Sequence, residues 1–330
     1  MEVGKGREAS SLSPPRERAG VRGERQESTG EVSQLDSHVP PHPNPLPRRG
    51  EGTRRPLLAS LALHLLLLAL AALVVTPFLW LLSGAFKRQE DLFSSAFLPW
   101  DRLGDLTLDN FRDLFTREPY LRWLLNSLFL ASAQTVLVVT FSSLGGFALA
   151  KYRFTGRRPL MAVMLLTMLL PYPVLLPGAW DLVRRIGLVD SYFAVLLPGS
   201  VSAFGMFLFM QAMKTVPDEL LQAARVDGCS ELRLWWEVAL PVVRPMVGAF
   251  TLLSFLAAWN SWLWPQVVLQ DEAKYTLPIG LAGMVGLAEY ETRYGVLLAG
   301  TLIAVLPVMA LFVALQKDFI AGLTRGAVKG

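Results

Sequence analysis

Residues 217–241 read PDELLQAARVDGCSELRLWWEVALP, and the order of signals in that stretch describes two short helices joined by a tight turn. Pro217 suits a first helical turn, and Asp218 and Glu219 suit the positive end of a helix dipole. Leu220, Ala223 and Ala224 then share one helical face. Asp227-Gly228 marks the turn, because glycine accepts the positive φ that ends a helix. Ser230 can cap a second helix, in which Leu232, Trp235, Trp236, Ala239 and Leu240 recur at i, i+3, i+4, i+7 and i+8. Pro241 punctuates its end. Periodicity alone fits an amphipathic helix lying on a membrane surface as well as an element that docks on a protein partner.

Long apolar runs flank this polar elbow. The chain has 330 residues, 52% hydrophobic and only 18% charged, where an average globular chain carries about a quarter charged residues. A membrane helix needs about 20 apolar residues to cross about 30 Å of hydrocarbon. Six segments qualify, at about 57–83, 125–150, 159–180, 191–213, 243–268 and 294–315. The third is interrupted by Pro171, Pro173 and Pro177, which predicts a kinked helix packed against protein rather than lipid. The predicted fold is an all-α membrane protein of six transmembrane helices with a cytoplasmic helix–turn–helix between the fourth and fifth.

Charge placement orients the bundle. Arg48, Arg49, Arg54 and Arg55 precede the first span, Lys151, Arg153, Arg157 and Arg158 fill the loop after the second, and Lys317, Arg325 and Lys329 follow the last. Basic residues collect on the cytoplasmic side, so both termini are expected inside, in a multi-pass protein of the bacterial inner membrane. Opposite them lie about 84–123, 181–190 and 269–293, the last carrying Asp271, Glu272, Glu289 and Glu291. Residues 269–277 with Gly280, Gly283 and Gly286 suggest a shaped outer loop.

Residues 1–55 stand apart from the 56–330 body. They hold ten Lys/Arg, eight Asp/Glu and no Phe, Trp or Tyr, so they cannot bury a core. Two readings remain open: a disordered cytoplasmic tail, or translated intergenic repeat around PNPLPRRGEG (43–52) with the true start nearer Arg54. Peptides from 8–25 in the native protein would exclude the second.

Several chemistries have no residues to carry them. No Walker A pattern ends the glycine-rich 322–330 (GLTRGAVKG), and no HExxH or GxSxG occurs. No catalytic residue and no metal ligand set is expected. Cys229 is the only cysteine, so no intrachain disulfide forms, and it reads as a small packing residue. His64, the only histidine of the body, reads as a helix-contact residue. The spans hold almost no other ionisable group, which disfavours an ion-driven secondary transporter. Basic residues are dispersed among loops, which gives nucleic-acid binding no support.

The elbow carries a family resemblance. Gln222-Ala223-Ala224, three residues, Gly228, nine residues, then Val238-Ala239-Leu240-Pro241 resembles the EAA loop of ABC-importer permeases. The family's usual form has Glu where Gln222 stands and Ile where Val238 stands, so a salt bridge from position 222 is not implied. Within that family the chain is similar to the carbohydrate permeases of the maltose, lactose and arabinose-oligosaccharide type. Supporting stretches are Asn126-Ser127-Leu128, Ser202-Ala203-Phe204-Gly205, Trp259-Asn260 with Trp264-Pro265, Tyr275-Thr276-Leu277-Pro278 and 322–330.

The resemblance implies the type I importer permease fold and a subunit that forms half of a sugar path. It binds no cofactor itself; ATP sits on cytoplasmic ATPase subunits. The implied partners are those ATPases, a second six-span permease chain, an extracytoplasmic solute-binding protein, the sugar and membrane lipid. The ATPase-coupling residues are then Gln222, Ala223, Ala224, Asp227, Gly228, Trp235, Trp236, Leu240 and Pro241. A polyol or glycerol-phosphate is the alternative cargo. Asn126, Trp259 and Asn260 offer amide and aromatic groups for a sugar. An Asn within a span equally well hydrogen-bonds a neighbouring helix.

Overall fold

The computed structural model describes residues 57–94, 97, 103–285 and 293–327. The 1–55 tail, Gly286, Glu289 and Glu291 lie outside the described residues. So do the side chains of 318–330, among them Arg325 and Lys329. The chain divides into two units, Met1–Leu61 and Ala62–Gly330; of the first, only the start of helix α1 is described.

Among the described residues the structure is helical. In chain order come α1 (Leu57–Ala85), α2 (Asp109–Arg117), α3 (Tyr120–Lys151), α4 (Arg157–Thr167), α5 (Tyr172–Arg185), α6 (Tyr192–Gly199) and α7 (Ala203–Met213). The elbow follows: α8 (Asp218–Val226), α9 (Glu231–Arg233), a π-helical stretch (Leu234–Ala239) and α10 (Leu240–Val242). Then come α11 (Arg244–Trp259), α12 (Leu263–Val268), α13 (Leu277–Val285) and α14 (Tyr294–Ala327).

Among the described residues three helices are long and apolar enough to cross a membrane alone: Ala59–Ala85, Tyr120–Lys151 and Tyr294–Lys317. They match the first, second and sixth expected spans. The other three are broken. α4 and α5 meet at 106°, α6 and α7 at 46°, and Glu231–Val242 meets α11 at 90°.

The first two breaks have a local cause. Pro171 is extended (φ −63°, ψ 132°) and α5 starts behind it with Pro173 in its first turn, where a missing N–H costs nothing. Ser202 starts α7, its hydroxyl accepting from the Gly205 N–H at 3.0 Å. The expected fifth span ends early. α11 stops at Trp259 after 16 residues, about 24 Å of helix, and α12 is a separate short helix.

α3 shows why the bundle holds. Its buried stripe includes Tyr120, Trp123, Ser127, Ala131, Thr135, Val138, Ser142 and Gly146, at spacings of three and four. Small and polar residues face inward, while Leu121, Leu125, Phe129, Val136 and Phe141 face outward. Lipid is as apolar as leucine, so close backbone approach rather than hydrophobic contrast joins the helices. A Cβ placed on Gly146 would lie 2.5 Å from the Phe209 Cβ and 2.7 Å from the Met210 backbone nitrogen of α7. A Cβ on Gly205 would meet the Phe250 ring of α11 and the Ser142 hydroxyl. α3, α7 and α11 therefore share one tight seam.

The end of the bundle opposite the elbow is pinned by polar contacts. Tyr120 donates to the Gly300 carbonyl at 2.7 Å. Arg293 pairs with Glu118 at 2.6 Å and Asp113 at 3.4 Å. Asp190 sits at φ +59°, accepts from the Gln270 and Asp271 N–H groups at 2.9 and 3.0 Å, and pairs with Lys274 at 2.6 Å.

The Lys274 ammonium, and after it the two N–H groups, hold the Asp190 carboxyl down at about 2. A depressed carboxyl stabilises above its unfolded range, near 4, and loses that contribution as pH falls toward 2. Asp190→Asn keeps an acceptor and a residue that tolerates positive φ; Asp190→Ala keeps neither. The expected result is amide exchange at 270–274 at least tenfold faster in the alanine variant and intermediate in the asparagine variant. Equal exchange in parent and alanine variant would refute the pin.

Candidate functional site

The elbow is built by local chemistry. α8 ends in two crossed bonds, Gly228 N–H to the Arg225 carbonyl and Cys229 N–H to the Ala224 carbonyl, both 3.0 Å. Gly228 supplies the φ of +84° which that closure needs. The Ser230 hydroxyl then accepts from the Arg233 N–H.

The second half of the elbow departs from the expected periodicity. Leu234–Ala239 is π-helical, and i→i+5 bonding adds a residue to the turn. The predicted face of Leu232, Trp235, Trp236, Ala239 and Leu240 is therefore divided. Leu234, Trp235 and Ala239 are buried, whereas Leu232 and Trp236 are 67% and 63% exposed.

The two faces now differ in kind. Leu221, Leu234, Trp235 and Ala239 pack with Phe147, Phe209, Met213 and Phe250 in one cluster at the ends of α3, α7 and α11. Leu240, Cys229 and Ala224 pack against it half-buried. Gln222, Ala223, Asp227, Gly228 and Pro241 are exposed, beside exposed Leu220, Val226, Leu232 and Trp236. Nothing lies within 4 Å of a Cβ at Gly228. The elbow thus presents an outer surface in which small and apolar groups lie among polar and charged ones.

A cavity of about 510 Å³ opens between α3, α6, α7 and α11, with Ser261, α12 and Thr276 completing its wall. Its polar lining is Ser127, Gln134, Tyr172, Ser202, Ser254, Ser261 and Thr276; its aromatic lining is Phe204, Phe250, Trp264 and Tyr172. No carboxylate, amine, guanidinium or imidazole lines it. The Gln134 Nε2 and Thr276 Oγ1 atoms are buried without a hydrogen-bond partner, although a buried polar group normally has one. The Trp264 N–H is already spent on the Ala194 carbonyl at 2.9 Å, which leaves its ring for contact.

Asn126, Trp259 and Asn260, the residues expected on a sugar path, are not among those lining this cavity. Asn126 donates both amide hydrogens to the Ala273 and Tyr275 carbonyls, at 3.0 and 2.9 Å, and accepts from the Tyr192 hydroxyl at 2.8 Å. It works as a clamp between helix and loop. Trp259 stacks on Phe255 (5.7 Å, 17°) inside a different buried cluster. Asn260 is exposed just past α11, its amide turned back to the Leu256 carbonyl. Gln134 was open to the argument that singled out Asn126, an amide inside an apolar run. Thr276 carries no such signal.

A family model for binding-protein-dependent transport system inner membrane components matches residues 142–322. The chain is 38% identical over 262 residues to the arabinooligosaccharides transport system permease protein AraQ of Halalkalibacterium halodurans, covering 79% of this chain and 93% of that protein. It is 32% identical over 277 residues to the maltodextrin transport system permease protein MdxG of Bacillus subtilis, covering 83% and 98%. Its fold is similar to a chain in the crystal structure of a bacterial ABC transporter involved in the import of the acidic polysaccharide alginate. The TM-score is 0.72 at 22% identity, covering 81% of this chain and 98% of that one.

Proposed function

Because this chain belongs to the family of binding-protein-dependent transport system inner membrane components, we propose that it is the permease subunit of an ABC importer for a neutral oligosaccharide. The chain itself performs no covalent step. ATP is bound and hydrolysed on cytoplasmic ATPase subunits, which dock on the outer face of the elbow around Gly228. A second permease chain completes the path, and an extracytoplasmic binding protein delivers the sugar. Both termini face the cytoplasm, as the basic loops favour.

One observation carries the choice of cargo: the cavity lining is polar, aromatic and uncharged, with two hydrogen-bonding atoms left unpaired. A neutral sugar supplies hydroxyl partners for the polar side chains of the lining and apolar ring faces for Trp264. A glycerol-phosphate or uronate would bring a charge into a site that offers no counter-charge, at a cost of several kcal/mol. Asn126, Trp259 and Asn260 are assigned to holding the walls rather than to contacting the cargo.

Reconstitution tests both parts. In proteoliposomes holding the ATPase, companion permease and binding protein, uptake of a neutral pentose or glucose oligosaccharide is expected to require ATP. Gln134→Leu combined with Thr276→Val should lower that uptake at least fivefold with ATPase co-purification unchanged. ATP-independent uptake by this chain alone would end the importer reading. Parental uptake in the double variant would move the path away from this cavity.

A further inference from the structure

α3 is fastened at both ends to the two surfaces an importer must keep in register. At the elbow end, the Lys151 ammonium is nearly buried, its side chain 7% exposed. It donates to the Val216 carbonyl at 2.5 Å and to Asp218 at 2.7 Å. The next residue, Tyr152, donates its hydroxyl to Glu231. Glu231 also accepts two bonds from the Arg225 guanidinium, at 2.9 and 3.1 Å, and that guanidinium lies over the Tyr152 ring at 6.0 Å. Asp218 and Arg225 belong to α8 and Glu231 to α9, so the last turn of α3 and Tyr152 grip both arms of the elbow. The Arg225 guanidinium and then the Tyr152 hydroxyl hold the Glu231 carboxyl below its ordinary range, and Lys151 does the same for Asp218. Both latches are therefore charged at neutral pH.

At the other end, Asn126 holds the carbonyls of Ala273 and Tyr275, and the Ser127 hydroxyl accepts from the Leu277 N–H at 2.7 Å. From Asn126 to Lys151 the helix is unbroken and rises about 37 Å. The elbow's two covalent links into the bundle differ: the one to α11 passes a 90° bend, and the one from α7 passes the non-helical join at 214–217. A bend with an irregular joint absorbs displacement; a continuous helix held at both ends passes it on.

We propose that α3 is the transmission rod between the ATPase-facing elbow and the outer loop 273–277. Lys151 and Tyr152, with Asp218, Arg225 and Glu231, are the positioning residues that lock rod to elbow. This inference rests on the permease reading above. Coupling is reciprocal: elbow displacement on ATP closure reaches 273–277, and docking of a loaded binding protein there reaches the ATPases.

The test uses the complete importer in proteoliposomes, with sugar-loaded binding protein as the probe. The readout is stimulation, the ratio of ATP hydrolysis with and without that probe in one preparation, which a uniform loss of folded complex does not move. Glu231→Gln is expected to lower stimulation five- to tenfold. Tyr152→Phe, which keeps the ring under Arg225, should lower it two- to threefold. The swap Arg225→Glu with Glu231→Arg should restore at least half of the parental ratio. A parental ratio in both Glu231→Gln and Tyr152→Phe, or a swap no better than Glu231→Gln alone, would overturn the rod. A parental complex without stimulation would remove the importer reading, and this inference with it.

Discussion

Gly146→Ala is expected to cost the protein more stability than any other single-methyl addition to α3 or α5. The added Cβ would meet the Phe209 Cβ at 2.5 Å, the Met210 nitrogen at 2.7 Å and the Phe209 carbonyl carbon at 2.8 Å. Two of those atoms are backbone, so no rotamer change relieves them; α7 must move off α3. Overpacking of this kind costs about 1–3 kcal/mol, occasionally more.

The neighbouring glycines calibrate the effect. At Gly145 the same methyl meets the Met206 sulfur at 2.6 Å, a flexible side chain that can turn away. At Gly178 in α5 nothing lies within 4 Å. Thermal unfolding followed by size-exclusion fluorescence in detergent should rank the losses Gly146→Ala, then Gly145→Ala, with Gly178→Ala near parental. A Gly146 variant as stable as the Gly178 variant would mean the α3–α7 seam is not in this contact.

Gly228→Trp is expected to leave the bundle folded and to reduce ATPase co-purification at least tenfold. The bundle is expected to survive because a Cβ at this exposed position meets nothing within 4 Å. Two separate effects act on the partner. The φ of +84° disfavours any L residue by about 1–2 kcal/mol, which loosens the two crossed bonds that close α8. The indole also stands on the outer face beside Ala223 and Asp227, where the importer reading places the ATPase.

Gly228→Asn separates these effects. Asparagine tolerates the left-handed region, so it restores the turn while adding only a small side chain, and should keep most of the association. Normal ATPase recovery with Gly228→Trp would show that the outer face of the elbow is not the docking surface.

The features legible from sequence are those set by neighbours along the chain. The proline and acids opening α8, Gly228 at its close and Ser230 opening α9 each act within one helical turn. The three unbroken spans were legible for the same reason, since a continuous apolar run needs no information from elsewhere. The prolines at 171, 173 and 177 announced a break, though not which of them would carry it: Pro171 does, while Pro177 stays inside α5.

Tertiary structure decided what periodicity could not. Trp235 and Trp236 are adjacent, equally apolar and both on the face that a 3.6-residue period predicts, yet only Trp235 is buried. The π-helical stretch shifts the register, and the cluster formed with Phe147, Phe209 and Phe250 favours that shift.

Asn126 and Gln134 present the same amide in the same helix. One finds three partners in loop 273–275 and Tyr192, and the other, on the wall of the cavity, keeps a buried amide nitrogen without a partner. By itself the sequence determined an α-helical membrane body, its polar elbow and the family to which they belong, because those rest on composition and spacing along one strand of chain. Which polar groups face an empty space, and which bind α3 to both ends of the bundle, was decided only by the fold. A hydrogen bond is satisfied or orphaned by partners that lie up to 206 residues away in sequence.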